Sequence, residues 1–255
     1  VYTLLIGAFI PSVTVGGYFN LQGLTLVLMY FLGTAVALIL AKVFSKWVGE
    51  KSSSSFIMEL PPYRAPIPKS VLRHVFIRGK LFLVNAGKVI MAISIVLWFL
   101  ASFPKVDNPN SDVNPIQHSY AGQIGHAMEP VIRPLGFDWK IGIGLLTSFA
   151  AREVMVSTMA TIYNVEDAGE ETVNLREAMQ TDVHPETGAP TYTPLVALAL
   201  MVFYVFAAQC MATFAVVRQE TNSWKWPMFM VVYMTALAYF GAMAVYQGGK
   251  LLGFS

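Results

Sequence analysis

The stretch PLVALALMVFYVFAAQCMATFAVV (Pro194–Val217) runs through 24 residues without one charged side chain. A helix needs about 20 predominantly apolar residues to cross a bilayer core, so the segment reads as a membrane span. Leu24–Val48, Phe82–Phe103 and Pro227–Gln247 meet the same criterion. A fifth segment, Ile141–Tyr163, is long enough but holds Arg152 and Glu153 at its centre. Val1–Ile10 reads as the end of a sixth span, stopped by Pro11 and by Gly16 and Gly17. The fold class predicted is therefore all-α, a polytopic membrane helix bundle of about five complete transmembrane helices, the end of a sixth and short interfacial helices.

Composition agrees. Of 255 residues, 55% are hydrophobic and 13% charged, against about 25% charged in soluble domains. One cysteine, Cys210, excludes an intrachain disulfide framework and any multi-cysteine zinc or iron–sulfur site. Val1 opens an apolar run with no initiator Met, no basic n-region and no small-residue cleavage site. That start is not a signal peptide. The expectation is a chain cut within a helix, with residues upstream of Val1 missing.

The connections carry the remaining polarity. Residues 49–81 contain SSSS, then ELPPYRAPIP, then a basic stretch in which Val71–Phe82 is predicted as an interfacial amphipathic helix. Ala127–Phe137, interrupted by Pro130 and Pro134, is too short to span and is expected to be re-entrant or interfacial. Residues 164–193 are acidic and read as a solvated loop with a short helix at Asn174–Gln180. Nine of the 17 Lys and Arg residues fall between 42 and 88, which makes that side cytoplasmic. Alternation then places 164–193 inside and 218–226 outside, where Arg218 and Lys225 fit poorly.

Two places carry candidate chemistry. Each charge near a bilayer centre costs about 2.5–3.5 kcal/mol, so Arg152–Glu153 implies a wet or packed interior. Glu153, Ser157 and Thr161 recur at spacing four and form one polar stripe. The stripe offers hard oxygen ligands to a cation with Arg152 as counter-charge; equally, Arg152–Glu153 reads as a buried clamp between helices. At the second place Cys210 and Thr213 share a face, with Met211 beside them. Thiolate and thioether suit late divalent transition metals, although a buried Cys also serves simply as a small packing residue.

A short echo links the places, FAARE (149–153) against FAAQC (206–210). His118 and His126 fall in the predicted outer region, where they could gather metal; His74 and His184 read as solvated. None of the three Gly-Lys pairs sits in a P-loop, and neither GxGxxG nor GxSxG occurs. This chain is thus expected not to bind nucleotide and not to be an enzyme.

Three motifs in order resemble one family. CMATFAVVRQETNSWKWP (210–227) resembles the second gate motif of the FeoB ferrous iron transporters, FIMELPPYRAPIP (56–68) its MELPPYR segment, and SFAAREVMVSTMATIYNV (148–165) its Arg/Lys-Glu-Val membrane helix. The resemblance implies Fe(II) uptake across the bacterial inner membrane, with Cys210, Thr213, Arg218, Glu220, Ser223 and Trp224 as gate-motif residues. Cys210 and Glu153 become the leading metal candidates, and Thr213, Ser157 and Met211 weaker ones. The family also implies an N-terminal GTP- and Mg-binding G domain absent from this sequence, and a first gate motif ending in Leu-Pro-Val-Tyr, of which Val1-Tyr2 would be the last residues. Expected partners are membrane lipid, that G domain, the small protein FeoA and further copies of the chain, with no nucleic acid. The alternatives are a transporter of another metal or ion, and an intramembrane enzyme or assembly protein using Arg152–Glu153.

Overall fold

The computed structural model describes residues 1–15, 19–48, 67–104, 119–149, 152, 154–163, 171–183, 188, 190–208 and 211–253. The described residues form an all-α fold with one two-rung antiparallel ladder, Thr14–Val15 on Phe19–Asn20. Two helices match their sequence-predicted spans closely: α2 (Leu21–Val48) and, at the end of the chain, α10 (Lys225–Leu251). Both are long and apolar enough to cross a membrane, and only 6% and 11% of their most apolar windows is buried. Surface so apolar and so uncovered calls for an apolar solvent. The first helix, α1 (Tyr2–Phe9), ends as expected just before Pro11.

The run 82–103 forms part of a longer helix. α3 (Pro68–Ser102) is continuous for 35 residues, and Pro68 starts it at the position where a missing N–H costs nothing. Val71–Phe82 is therefore the first part of α3, not a separate interfacial helix. No Gly or Pro within it is placed so as to stop a helix: Gly79 and Gly87 face open space. The proline-interrupted piece forms α4 (Tyr120–Ile132), capped by Ser119, then one 3-10 turn at Arg133–Leu135.

The largest departure from expectation lies at 141–163. In place of one span there are two helices, α5 (Trp139–Ser148) and α6 (Val154–Ile162), folded back on each other. Lys140 at the start of α5 binds Asp182 at 2.7 Å, and the hydroxyl of Tyr163, just after α6, donates to the same carboxylate at 2.9 Å. Start and finish thus share one end of the fold. Small residues allow the close return. A Cβ on Gly144 would lie 2.9 Å from the Met159 methyl, and Thr158 donates to Thr147 across the pair at 3.0 Å. Alternation through this segment fails as a consequence, because it does not pass from one end to the other.

The run 194–217 is likewise two helices, α8 (Pro194–Phe206) and α9 (Met211–Thr221). The break comes at Ala207, whose ψ of 146° is extended. α8 is apolar on every side and sits at the centre, with Ala197, Ala199, Leu200 and Met201 fully buried. α10 runs antiparallel to it. Gly249 meets Leu195, and Gly241 lets Phe206 within 3.0 Å of where its Cβ would be, the small-residue packing that apolar media favour. α7 (Glu171–Thr181) is longer than the predicted short helix and is not wholly solvated. Its Leu175 and Met179 are fully buried, and Arg176 donates to the Thr3 carbonyl of α1.

Ile10, Leu21, Lys140, Tyr163, Asp182, Tyr192 and Gln247 gather at one end, linked by Gln22 to the Ile10 carbonyl, Phe9 stacked on Tyr192, and Gln247 on the Pro134 carbonyl. At the opposite end Phe44 of α2 meets Phe229 and Tyr233 of α10, and Arg218 lies over Trp224. One glycine is fixed by geometry: Gly136 has φ 78°, and a Cβ there would run into the Tyr246 ring. Gly136→Ala is expected to cost about 1–3 kcal/mol. The melting temperature in detergent should fall accordingly, and an unchanged value would mean that this approach does not hold the turn.

Candidate functional site

Each echo segment begins where a helix ends, FAARE at the end of α5 and FAAQC at the end of α8, and the structure brings Arg152 of the first to Ala207 of the second. Arg152 Nη2 donates to the Ala207 carbonyl at 3.2 Å. Four residues before Arg152, at the end of α5, the Ser148 hydroxyl lies 2.6 Å from the Tyr204 hydroxyl, and it also reaches the Gly144 carbonyl at 2.6 Å. A cavity of about 200 Å³ opens beside these contacts, lined by Ser148, Arg152, Tyr204, Ala208, Thr235 and Tyr239 among mostly apolar neighbours.

Each expected site residue has a definite standing. Glu153, Cys210 and the Met211 side chain lie outside the described residues. Ser157 and Thr161 are exposed, and both hydroxyls bond back to their own helix, to the carbonyls of Val154 and Ser157. Thr213 is half-buried in α9. Arg218 stacks at 4.0 Å over Trp224, and Glu220 is exposed. The Ser223 hydroxyl accepts from the Lys225 amide, and Asn222 takes a φ of 46°, so the end of the gate motif builds the α9–α10 turn. Among the described residues no three His, Cys, Asp or Glu side chains gather as a metal site. His126 meets Glu129 at 3.2 Å and stacks on Trp139, His74 is exposed, and His118 and His184 lie outside the described residues.

Sequence reasoning missed Ser148, Tyr204 and the cluster at the hairpin mouth. The signal for the first two was the echo, since each precedes its Phe-Ala-Ala by one or two residues. At the mouth, Lys140, Asp182, Tyr163 and Tyr192 form a connected set, with Lys140 4.9 Å above the Tyr163 ring. Beside it Asp138 caps α5 by accepting from the Ile141 amide at 3.0 Å. Burial pushes the Asp138 carboxyl up to about 6.

Comparison with known proteins completes the picture. Residues 83–224 match the family model described as Gate, nucleoside recognition, and residues 26–78 match the one described as ferrous iron transport protein B C terminus. The class is thus a gate-domain protein. The chain is 48% identical over its whole length to the Fe(2+) transporter FeoB of Leptospira biflexa. It is 35% identical over 98% of its length to the Fe(2+) transport protein A/Fe(2+) transporter FeoB fusion protein of Porphyromonas gingivalis, and 32% over 99% to the FeoB of Campylobacter jejuni. The chain belongs to the FeoB family. It spans 37%, 32% and 39% of the lengths of these three relatives. No solved structure matches it.

The Asp138 shift gives a test. A carboxyl raised from 3.8 to about 6 favours the fold most below pH 3.8, and that contribution is lost as pH rises through 6. Asp138→Asn keeps the cap in a permanently neutral form. The variant should be more stable than wild type by about 2–3 kcal/mol at pH 7, with the difference fading as the pH falls toward 4. Thermal unfolding across that range reads it out, and a pH-independent difference would contradict the burial argument.

Proposed function

We propose that this chain forms part of the route by which Fe(II) crosses the bacterial inner membrane. The observation that carries the reading is the 48% identity, held over all of the chain, to a protein named as an Fe(2+) transporter. The meeting of two helix breaks supports it. In lipid, irregular backbone is tolerated only where protein buries it or it lines a cavity, and transporters bind their substrates at such broken helices near the midplane. α5, with 10 residues, is about 15 Å long and α8, with 13, about 20 Å. Both start from the same end of the bundle, so their breaks reach the middle of a core about 30 Å thick.

In this reading Cys210 and Glu153, at the ends of the two echo segments, are the metal ligands. A soft thiolate beside a hard carboxylate suits a borderline cation such as Fe(II). Thr213, Ser157 and Met211 stay secondary. The apolar flanks of α2, α3 and α10 face lipid. A G domain using GTP and Mg gates the path, as the family resemblance implies. The fused relative from Porphyromonas gingivalis supports a contact with FeoA. The alternatives, another ion or an intramembrane enzyme, gain no support from relatives named for Fe(2+).

Sidedness also falls into place. With the hairpin re-entrant, Arg218 and Lys225 join Lys42 and Lys46 at one end of the bundle, which becomes cytoplasmic under the positive-inside rule. The poor fit of those two residues disappears, and Asp182 with α7 moves to the outer side. A cysteine at exposed Thr181 should react with a membrane-impermeant thiol reagent in intact cells, and one at exposed Gln219 only after permeabilisation; the reverse pattern would reject this topology. For the substrate, proteoliposomes of the whole protein should accumulate Fe(II) in preference to Mn(II) and Zn(II). Cys210→Ser and Glu153→Gln should each cut uptake by about tenfold. Unchanged uptake would remove that residue from the path.

A further inference from the structure

We infer that Arg152 is a positioning residue that ties the two helix breaks together by capping the open end of α8, rather than a counter-charge for a metal ligand. The inference rests on the proposed transport path only for its consequence in uptake.

A helix end leaves four carbonyls without intrahelical partners, and the partial negative charge there attracts a cation. α8 ends at Ala207 in an extended conformation, half-buried beside a cavity whose lining is mostly apolar. Leaving such a carbonyl unpaired is costly. The Arg152 guanidinium, borne by the other broken element, supplies the donor at 3.2 Å. Its charge meets the helix-end dipole in the favourable sense. The Ser148–Tyr204 pair at 2.6 Å makes a second tie, from the last residue of α5 to the last turn of α8. One tie starts from the last residue of α5 and the other from the connection to α6, and both end on the last turn of α8.

Arginine suits this role better than lysine, since its rigid fork keeps a donor in place when the side chain is half-buried. A residue that holds the break without touching the metal should affect how often the path opens and closes, and leave the affinity for the ion alone.

The test is made in the whole protein, in a background whose other cysteines are replaced, with Ala208→Cys as reporter at the cavity wall. Arg152→Met keeps the apolar stem and removes the donors. Maleimide labelling of the reporter should speed up by about tenfold, the scale of a lost hydrogen bond to a charged group, and Arg152→Lys should recover part of the difference. Tyr204→Phe removes only the second tie and should give a smaller increase. Labelling rates unchanged in both Arg152→Met and Tyr204→Phe would overturn the inference. Fe(II) uptake, measured without the reporter and with native cysteines, should show a lowered maximal rate with an unchanged KM in Arg152→Met; a raised KM alone would place Arg152 on the ion and overturn the positioning role. Faster labelling in a protein that transports no Fe(II) even as wild type would uphold the tie and reject the transport reading.

Discussion

An interrupted helix in an apolar surrounding must find partners for the backbone groups it frees, and the rest of this structure depends on how that demand is met. Two interruptions face each other. The carbonyl freed at Ala207 is answered by Arg152, and the neighbouring hydroxyls of Ser148 and Tyr204 answer one another. The donor for the end of α8 comes from the connection between α5 and α6, so the end of α8 relies on another element. That reliance gives a charged residue a role at the centre of an apolar run.

The same demand shapes the periphery. A hairpin that enters and leaves at one end needs an anchor there, and Lys140, Tyr163 and Asp182 provide it. Lys140 and Tyr163 both donate to the Asp182 carboxylate, which pins both feet of α5–α6 with respect to the segment leading into α8. The cap by Asp138 adds a neutralisable group to that end. α2, α3 and α10, by contrast, turn large apolar surfaces outward and contribute few polar contacts. The polar chemistry is concentrated inside and at one mouth, the distribution expected of a membrane protein with a functional interior.

Much of the architecture was legible in the sequence. The edges of α2 and α10 follow from where apolar residues begin and end, and the halt of α1 follows from Pro11. Hydropathy failed at 141–163 and 194–217 because a window sums apolar content and carries no direction. A hairpin of two short helices and one straight span score alike. The echo of FAARE and FAAQC did contain the missing information, since the two breaks begin there. α7 was read as solvated because its acidic residues dominate the average, although Leu175 and Met179 are placed one turn apart and form the buried edge. At the candidate site, Arg152 stood out by its charge. Its partner is a backbone carbonyl, and no side-chain pattern can announce that. Ser157 and Thr161 followed the expected stripe but spend their hydroxyls on their own helix, a choice that spacing alone does not reveal.

The reciprocal breaks also set a timetable for biogenesis. Ala207 is synthesised 55 residues after Arg152, so at about 5–20 residues per second the guanidinium waits roughly 3–11 s for its acceptor. During that interval the nascent α5–α6 hairpin lacks the carbonyl that Arg152 binds in the finished fold. Its anchor arrives sooner, because Asp182 precedes α8. The chain therefore offers the hairpin a foothold at the surface before it offers a partner in the interior, an order of events written into the linear arrangement of the contacts.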